Sequence, residues 1–307
     1  MTTTLPRTTS ASLRSMTAIE ARRFARHPVF LIGVLVAYLI TLLLNTVWAP
    51  EHGGATTAYD LLSQPIIPAF FIGLPSLIVA ARLTRSTEVA AEALGAAPGT
   101  EAQRTKALLG ACVVPFLAGV GWLALLLVLT RVNPPHPNEL WFGTINDLYV
   151  WGALLSLGVV SCLGGGLLGV LVGRWLRFRG ASTVALVAVV GVCLTSQIPG
   201  MLTSEAAGFR NWVPWSMWHW GTNSDGLPFE GVPAWSQALL AGNPATYLLY
   251  LIALCALACG GAIWHDRTAR TPRLRLLNVG LVVAVVALFL VTALTGIDGM
   301  ITSGPLQ

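Results

Sequence analysis

Residues 29–48 of the chain read VFLIGVLVAYLITLLLNTVW. This run of 20 residues contains no charged side chain, and about 20 apolar residues are what a helix needs to cross the hydrocarbon core of a membrane. The run is too long for the core of a signal peptide, and no small-residue cleavage pattern follows it. We therefore expect a retained membrane-spanning helix that starts at His27-Pro28, because proline is tolerated in a first helical turn.

Six more apolar runs follow the first. Together the seven runs predict an all-α integral membrane protein with about seven transmembrane helices, the later ones at residues 65–83, 107–130, 148–173, 181–199, 244–264 and 276–296. The composition agrees, since only 10% of the 307 residues are charged, whereas a soluble domain carries about 25%. Helices satisfy their own backbone groups, which is what a long apolar segment requires in lipid.

The basic residues indicate how these helices are oriented. With the N-terminus in the cytoplasm and the loops alternating sides, 16 of the 18 Lys and Arg residues lie inside, and only Arg131 and Arg210 lie outside. Eight of the 13 acidic residues fall on the outer side. Because arginine and lysine accumulate in cytoplasmic loops, we predict a multi-pass plasma-membrane protein with a cytoplasmic N-terminus. Membrane lipid explains the basic pI, so no nucleic-acid partner is expected.

Several kinds of chemistry are missing from the sequence. The five cysteines all lie in apolar runs, which predicts neither a disulfide framework nor a metal site, although Cys255 and Cys259 share a helix face. Lys106 is the only lysine and does not belong to a phosphate-binding loop, so we expect neither ATP hydrolysis nor a cofactor in this chain. The runs contain almost no ionisable residues, which argues against ion pumping and against paired-carboxylate enzymes.

The inner loop after the second run is the most informative polar segment. We expect Ser86 or Thr87 to cap a short helix that continues through Glu92 and stops before Pro98. A second helical start at Thr100 would lead into the third span. A helix lying along the membrane here would offer a surface to a cytoplasmic partner. An ordinary amphipathic loop at the lipid headgroups is the alternative.

A family resemblance rests on three segments. The stretch EARRFARHP at residues 20–28 leads straight into the first span. It is similar to the interfacial helix that opens many bacterial type-2 ABC permeases, which are the membrane subunits of drug, lipid, peptide and polysaccharide exporters. Residues 84–106 resemble the coupling segment of that family, and residues 200–243 resemble its large external segment before the sixth span. The resemblance covers about residues 15–265.

The resemblance implies a domain organisation. Residues 1–28 would form a cytoplasmic tail and interfacial helix, and residues 29–264 would form a six-span permease core. The chain departs from the usual pattern at residues 265–307, which would add an Arg-rich cytoplasmic loop, a seventh span and an external tail. The common family core has six spans and a cytoplasmic C-terminus.

The resemblance also implies partners. In that family a homodimer or heterodimer of permeases sits on two ABC-type ATPase subunits, so ATP and Mg would be bound by the partner and the second permease would be a copy or a paralogue. The missing phosphate-binding loop fits this arrangement. Contacts to the ATPase would come from the coupling segment, at Arg85, Glu88, Glu92, Gln103, Arg104 and Lys106.

A dense aromatic cluster lies in the external segment, at Trp212, Trp215, Trp218 and Trp220. Tryptophan prefers the membrane–water boundary, so an interfacial belt is one interpretation. An external gate for an amphipathic substrate is a second interpretation, and a carbohydrate-stacking site is a third.

The fourth run carries Gly165, Gly169 and Gly173 at four-residue spacing. Small residues at this spacing allow two helix backbones to approach closely. The pattern predicts helix packing, either within one subunit or between two subunits.

These observations favour an exporter permease that moves a hydrophobic or amphipathic substrate, such as a drug, lipid or peptide. Two alternatives remain open. One is a membrane enzyme or maturation factor that acts on a lipid-linked substrate at the outer Trp-rich face. The other is a non-catalytic membrane scaffold or signalling partner.

Overall fold

The computed structural model describes residues 9–47, 64–94, 100–132, 147–176, 178–196, 221–222, 237–239, 242–296 and 301–303. Over these residues the chain is almost entirely helical. The helices are α1 (Thr9–Ala25), α2 (Pro28–Thr46), α3 (Leu74–Leu94), α4 (Glu101–Ala111), α5 (Val113–Val132), α6 (Asp147–Leu155), α7 (Ser161–Trp175), α8 (Ala181–Ser196), α9 (Pro244–Trp264) and α10 (Pro272–Leu294).

Shorter helical turns complete the spans. A turn at Ile66–Pro68 and the π-helical turn π1 (Ala69–Gly73) precede α3. A second π-helical turn, π2 (Ser156–Val160), joins α6 to α7. A 3-10 turn, Arg267–Ala269, lies between α9 and α10.

Six helical segments of the described chain are long and apolar enough to cross a membrane. They are Pro28–Thr46, Ile66–Ser86, Glu101–Val132, Asp147–Trp175, Pro244–Trp264 and Pro272–Leu294. The fifth predicted run, residues 181–199, is also helical, but α8 has only 16 residues, or about 24 Å of helix against a hydrocarbon core of about 30 Å. The helical fold, with six helices long and apolar enough for a membrane, is therefore confirmed, whereas the insertion itself and a crossing by α8 stay predictions.

Proline and a capping side chain set the start of several helices. Pro28 occupies the first turn of α2, as predicted. Asn243 accepts hydrogen bonds from the first amides of α9, and Thr271 does the same for α10. Each of these two caps is followed directly by a proline, which loses no hydrogen bond at this position.

The predicted helix break at Ser86 or Thr87 is wrong. Helix α3 continues without interruption from Leu74 to Leu94. The Ser86 hydroxyl donates to the Leu83 carbonyl oxygen over 2.9 Å, so it bonds back to its own helix instead of capping a new one. The predicted second start at Thr100 is confirmed, because α4 begins there.

The prolines of the second span are accommodated by π1 and by a neighbouring glycine. Pro75 has no N–H to donate to the Phe71 carbonyl four residues earlier. Gly33 of α2 packs against that carbonyl, where any Cβ would collide with it. A close glycine C–H···O contact thus covers an acceptor that the proline leaves open.

The core is formed around α3 and α7, which make the most extensive helix–helix contact of the described residues. The glycine pattern of the fourth run lies in this contact, within one chain. Each of these three glycines faces a backbone carbonyl of the second span, Gly165 facing Gly73, Gly169 facing Leu77 and Gly173 facing Ala81.

The helix ends separate into two groups. At one end, which we call the arginine-rich end, Arg23 of α1 donates to Ser86, and Arg85 donates to the Phe178 carbonyl between α7 and α8. At the opposite end, the Asn45 side chain pairs with Gln64. The first and second spans therefore run in opposite directions, in agreement with the alternation of the charge pattern.

Three short strands of two or three residues form a small antiparallel sheet in the order β1-β2-β3. They are β1 (Gly221–Thr222), β2 (Gln237–Leu239) and β3 (Ile301–Ser303). Ala238 pairs with Gly221 on one side and with Thr302 on the other. This pairing connects residues after α10 to the segment before α9.

Candidate functional site at the arginine-rich end

The N-terminus of α4 carries two kinds of cap. The Thr100 hydroxyl accepts from the Gln103 amide, and the Gln103 side chain accepts from the Thr100 amide, which makes a complete capping box. The second cap is a side chain that is distant in sequence. Asp266 Oδ2 accepts a hydrogen bond from the Ala102 amide over 2.9 Å. The end of α9 thereby supplies part of the start of α4.

Glu101, the first residue of α4, lies between two basic side chains. Its Oε1 atom is 2.6 Å from His265 Nδ1 and 3.8 Å from Arg174 Nη1. We call Glu101, Arg174, His265 and Asp266 the clasp. Its members come from the start of α4, the end of α7 and the end of α9, so the clasp joins three spans at one point.

Arg174 is the fully buried member of the clasp. A buried charge is tolerated only where it has charged or hydrogen-bonding partners. Glu101 supplies a carboxylate, and the two residues also suit their helix positions, since an acid is favoured at a helix N-terminus and a base at a C-terminus. The pair therefore stabilises one relative position of α4 and α7.

Asp266 is a buried carboxylate with several donors. Its Oδ1 atom accepts from the amide and the hydroxyl of Thr268, over 2.8 and 2.7 Å. Burial alone would raise the pKa of Asp266, but the hydrogen bonds from Thr268 and Ala102 and the neighbouring His265 bring that pKa below its ordinary value of 3.8. Asp266 is therefore ionised at neutral pH.

Aromatic contacts hold the end of α7 against α9. The Trp175 indole N–H donates to the Gly261 carbonyl over 3.0 Å. The rings of Trp175 and His265 meet edge to face at 5.4 Å. The Trp175 ring thus contacts the same imidazole that bonds to Glu101.

Helix α1 packs onto the same end of the bundle. Its Thr17 methyl group lies against Gly110 of α4, where a Cβ would approach it to 2.8 Å. Phe24 and Phe30 meet edge to face at 5.2 Å across the junction with α2. The N-terminal helix and the start of the third span therefore form one packed unit.

Two of the residues predicted to contact an ATPase have local roles in the structure. Arg85 donates to Phe178, and Gln103 completes the capping box. Lys106 is exposed and Arg104 is half-buried. Glu88 and Glu92 belong to the continuous helix α3, and their side chains lie outside the described residues.

The aromatic cluster of the external segment, Trp212, Trp215, Trp218 and Trp220, also lies outside the described residues. Within the described part of the chain, no group of three or more His, Cys, Asp or Glu side chains is placed to hold a metal ion. No family model, curated protein or solved structure matches this chain. The type-2 permease resemblance therefore remains a prediction from the sequence.

The clasp was not identified from the sequence. The two basic partners of Glu101, Arg174 and His265, come from positions 73 and 164 residues later in the chain. A signal did exist, since Arg174 directly follows an apolar run and His265-Asp266 directly follows another. Polar residues at the same predicted end of neighbouring spans are candidates for such contacts.

Asp266→Ala is expected to lower the free energy of unfolding by about 2 kcal/mol, because two helical turns lose an N-terminal acceptor and each cap contributes roughly 1 kcal/mol. The folded-state pKa of Asp266 is depressed, so its contribution is complete at pH 7 and decreases as the pH falls below 3.8 toward that pKa. Unfolding by SDS in mixed micelles at pH 7 and pH 3.5 measures both effects.

Asp147→Ala is the matched control for this prediction. Asp147 is an exposed acid in the first turn of α6, at the opposite end of the bundle. An equal loss of stability in both variants would contradict the assigned role. So would a difference in unfolding free energy between the wild type and Asp266→Ala that is the same at pH 3.5 as at pH 7.

Proposed function

We propose that this chain is the membrane-spanning permease subunit of an ABC-type exporter. Its substrate is hydrophobic or amphipathic, of the drug, lipid or peptide class, and ATP is hydrolysed on a separate partner subunit. The observation that carries the proposal is the clasp, because it connects the start of α4 to the ends of α7 and α9. These contacts would transmit a displacement of the 84–106 segment to the spans that end with α7 and α9.

The packing of α1 supports the same assignment. Thr17 contacts Gly110, and Arg23 bonds both to Glu20 and to Ser86. The N-terminal helix thus touches the spans on both sides of the proposed coupling segment. A partner that binds this segment would contact a surface that is packed against α1 and not an isolated loop.

The polar groups inside the described spans favour an apolar substrate. The Trp122 indole donates to the Thr41 hydroxyl over 2.7 Å, and Asn45 pairs with Gln64. These groups satisfy each other and do not include a carboxylate pair. Ion and proton pathways use intramembrane charges, which the described spans carry only near their ends.

The two π-helical turns are positions at which the spans can bend during a conformational change. π1 and π2 contact each other inside the bundle, and the Cys162 thiol lies 3.4 Å from the Pro68 carbonyl beside them. π-Helical turns interrupt the regular helical ladder and are frequent at functional sites. Alternating access would bend the second and fourth spans at these turns.

Glu92→Arg is expected to abolish transport, because it reverses a charge on the proposed surface for the ATPase. The variant should insert into membranes as the wild type does, since the residue lies beyond the apolar part of its helix. The measurement is affinity purification of the chain co-expressed with its cognate ABC-type ATPase, followed by ATPase and transport assays. We expect roughly tenfold less bound ATPase, an effect of about 1.4 kcal/mol.

Glu139→Arg provides the control, because it makes the same charge change in a loop predicted to face the other side. That variant should keep both the ATPase and transport. Full transport by Glu92→Arg would remove the coupling assignment. A wild-type chain that purifies without any ATPase would remove the proposed function itself.

A further inference from the structure

The start of α10 combines exposed arginines with exposed apolar side chains. Arg273 and Arg275 lie in the first turns of this helix and are both exposed. The next two residues, Leu276 and Leu277, are 74% and 56% exposed. Charged and apolar surface therefore meet within a single helical turn.

The length of the apolar part places this boundary at the membrane surface. From Leu276 to Leu294 there are 19 residues, or about 28 Å of helix, which matches a hydrocarbon core of about 30 Å. Thr292 is the only buried residue of α10. Lipid therefore surrounds most of this helix, and its arginines lie at headgroup depth.

The described carboxylates at the arginine-rich end are already engaged. Glu20 pairs with Arg23 at 2.9 Å, Glu101 faces Arg174 and His265, and Asp266 caps α4 and the 3-10 turn. Among the described side chains, none of these acids is bonded to Arg273 or Arg275. The two guanidinium groups are therefore not neutralised by any carboxylate of the described residues.

We propose that Arg273 and Arg275 bind the phosphates of anionic phospholipids in the leaflet at the arginine-rich end. Guanidinium groups suit phosphate because they donate several hydrogen bonds in a planar array. The leucines beside them lie in the acyl region, which favours a lipid headgroup over a soluble acidic protein. This proposal does not depend on the exporter assignment.

Hydrogen–deuterium exchange in nanodiscs tests the proposal on the purified full chain. The discs contain either phosphatidylcholine alone or phosphatidylcholine with 30% phosphatidylglycerol (a composition of roughly physiological charge). In the wild type, the peptide spanning residues 267–277 should exchange more slowly in the anionic discs, by roughly fivefold for each bound arginine. Arg273→Gln/Arg275→Gln should remove this difference between the two lipids.

Arg131→Gln is the matched control, since Arg131 is an exposed arginine in the last turn of α5 at the opposite end. It should leave the lipid-dependent protection of residues 267–277 unchanged. Equal exchange of the wild type in the two lipids would overturn the proposal, as would protection that persists in the double variant. Protection that appears only after an ATPase partner is added would assign these arginines to a protein instead.

Discussion

Gly165→Val is expected to prevent the chain from reaching its packed fold. A Cβ at position 165 would overlap the backbone carbonyl oxygen of Gly73, and valine adds two methyl groups to that Cβ. The carbonyl belongs to π1, so it cannot move aside as a flexible side chain would. Overpacking costs about 1–3 kcal/mol when side chains can adjust, and a collision with backbone in the largest helix contact should exceed that range.

The measurement is the fraction of monodisperse protein after detergent extraction, together with the midpoint of SDS-induced unfolding. Gly280→Val is the control, because Gly280 lies in α10, where an added Cβ would meet no atom of another described segment within 4 Å. Helix propensity alone slightly favours valine over glycine, so the control should be neutral or slightly stabilised. Similar behaviour of the two variants would show that the Gly165 contact does not determine the fold.

The sequence predicted the helices better than it predicted their contacts. Hydropathy placed the first span at 29–48 and the last at 276–296, close to the observed Pro28–Thr46 and Pro272–Leu294. A run of apolar residues is a local property, so one sequence is enough to locate it. The partner of a helix is not local, and the spacing of Gly165 and its neighbours predicted close packing without identifying the second span as the partner.

The error at Ser86 has a similar origin. A serine or threonine with an acidic residue in the following turn is typical of a helix start, but a serine inside a helix can also bond to a carbonyl of the preceding turn. The surrounding packing decides between the two, and here α3 continues past the membrane-spanning part to Leu94. At Thr100 the local signal sufficed, because Gln103 lies at the position that completes the capping box.

The clasp could be predicted only in part. The alternation of spans places Glu101, Arg174 and His265 at the same end of the bundle, which is a necessary condition for contact. It does not determine which of the many polar residues at that end meet. The 2.6 Å contact between Glu101 and His265 depends on the packing of α9 beside α4, which becomes known only from the folded structure.

Glu101→Lys is expected to destabilise the chain by about 3 kcal/mol. The substitution removes the carboxylate that faces the fully buried Arg174 and places a second cation beside it. Removing one partner of a buried ion pair typically costs about 3–5 kcal/mol. The lower figure applies because the Glu101 side chain remains 30% exposed, so water screens part of the repulsion. The midpoint of SDS-induced unfolding measures the loss.

Asp147→Lys separates the clasp from the general effect of charge at a helix start. Both acids lie in the first turn of their helices, so both reversals oppose the helix dipole at a cost of about 0.3–1 kcal/mol. Only Glu101 also faces a buried arginine, and the difference between the two variants therefore measures the clasp. Addition of Arg174→Met to Glu101→Lys should recover part of the lost stability, because the repelled buried charge is gone. The two residues are not coupled if adding Arg174→Met to Glu101→Lys costs as much stability as Arg174→Met costs in the wild type. In that case the ion pair would not transmit a displacement from the start of α4 to α7.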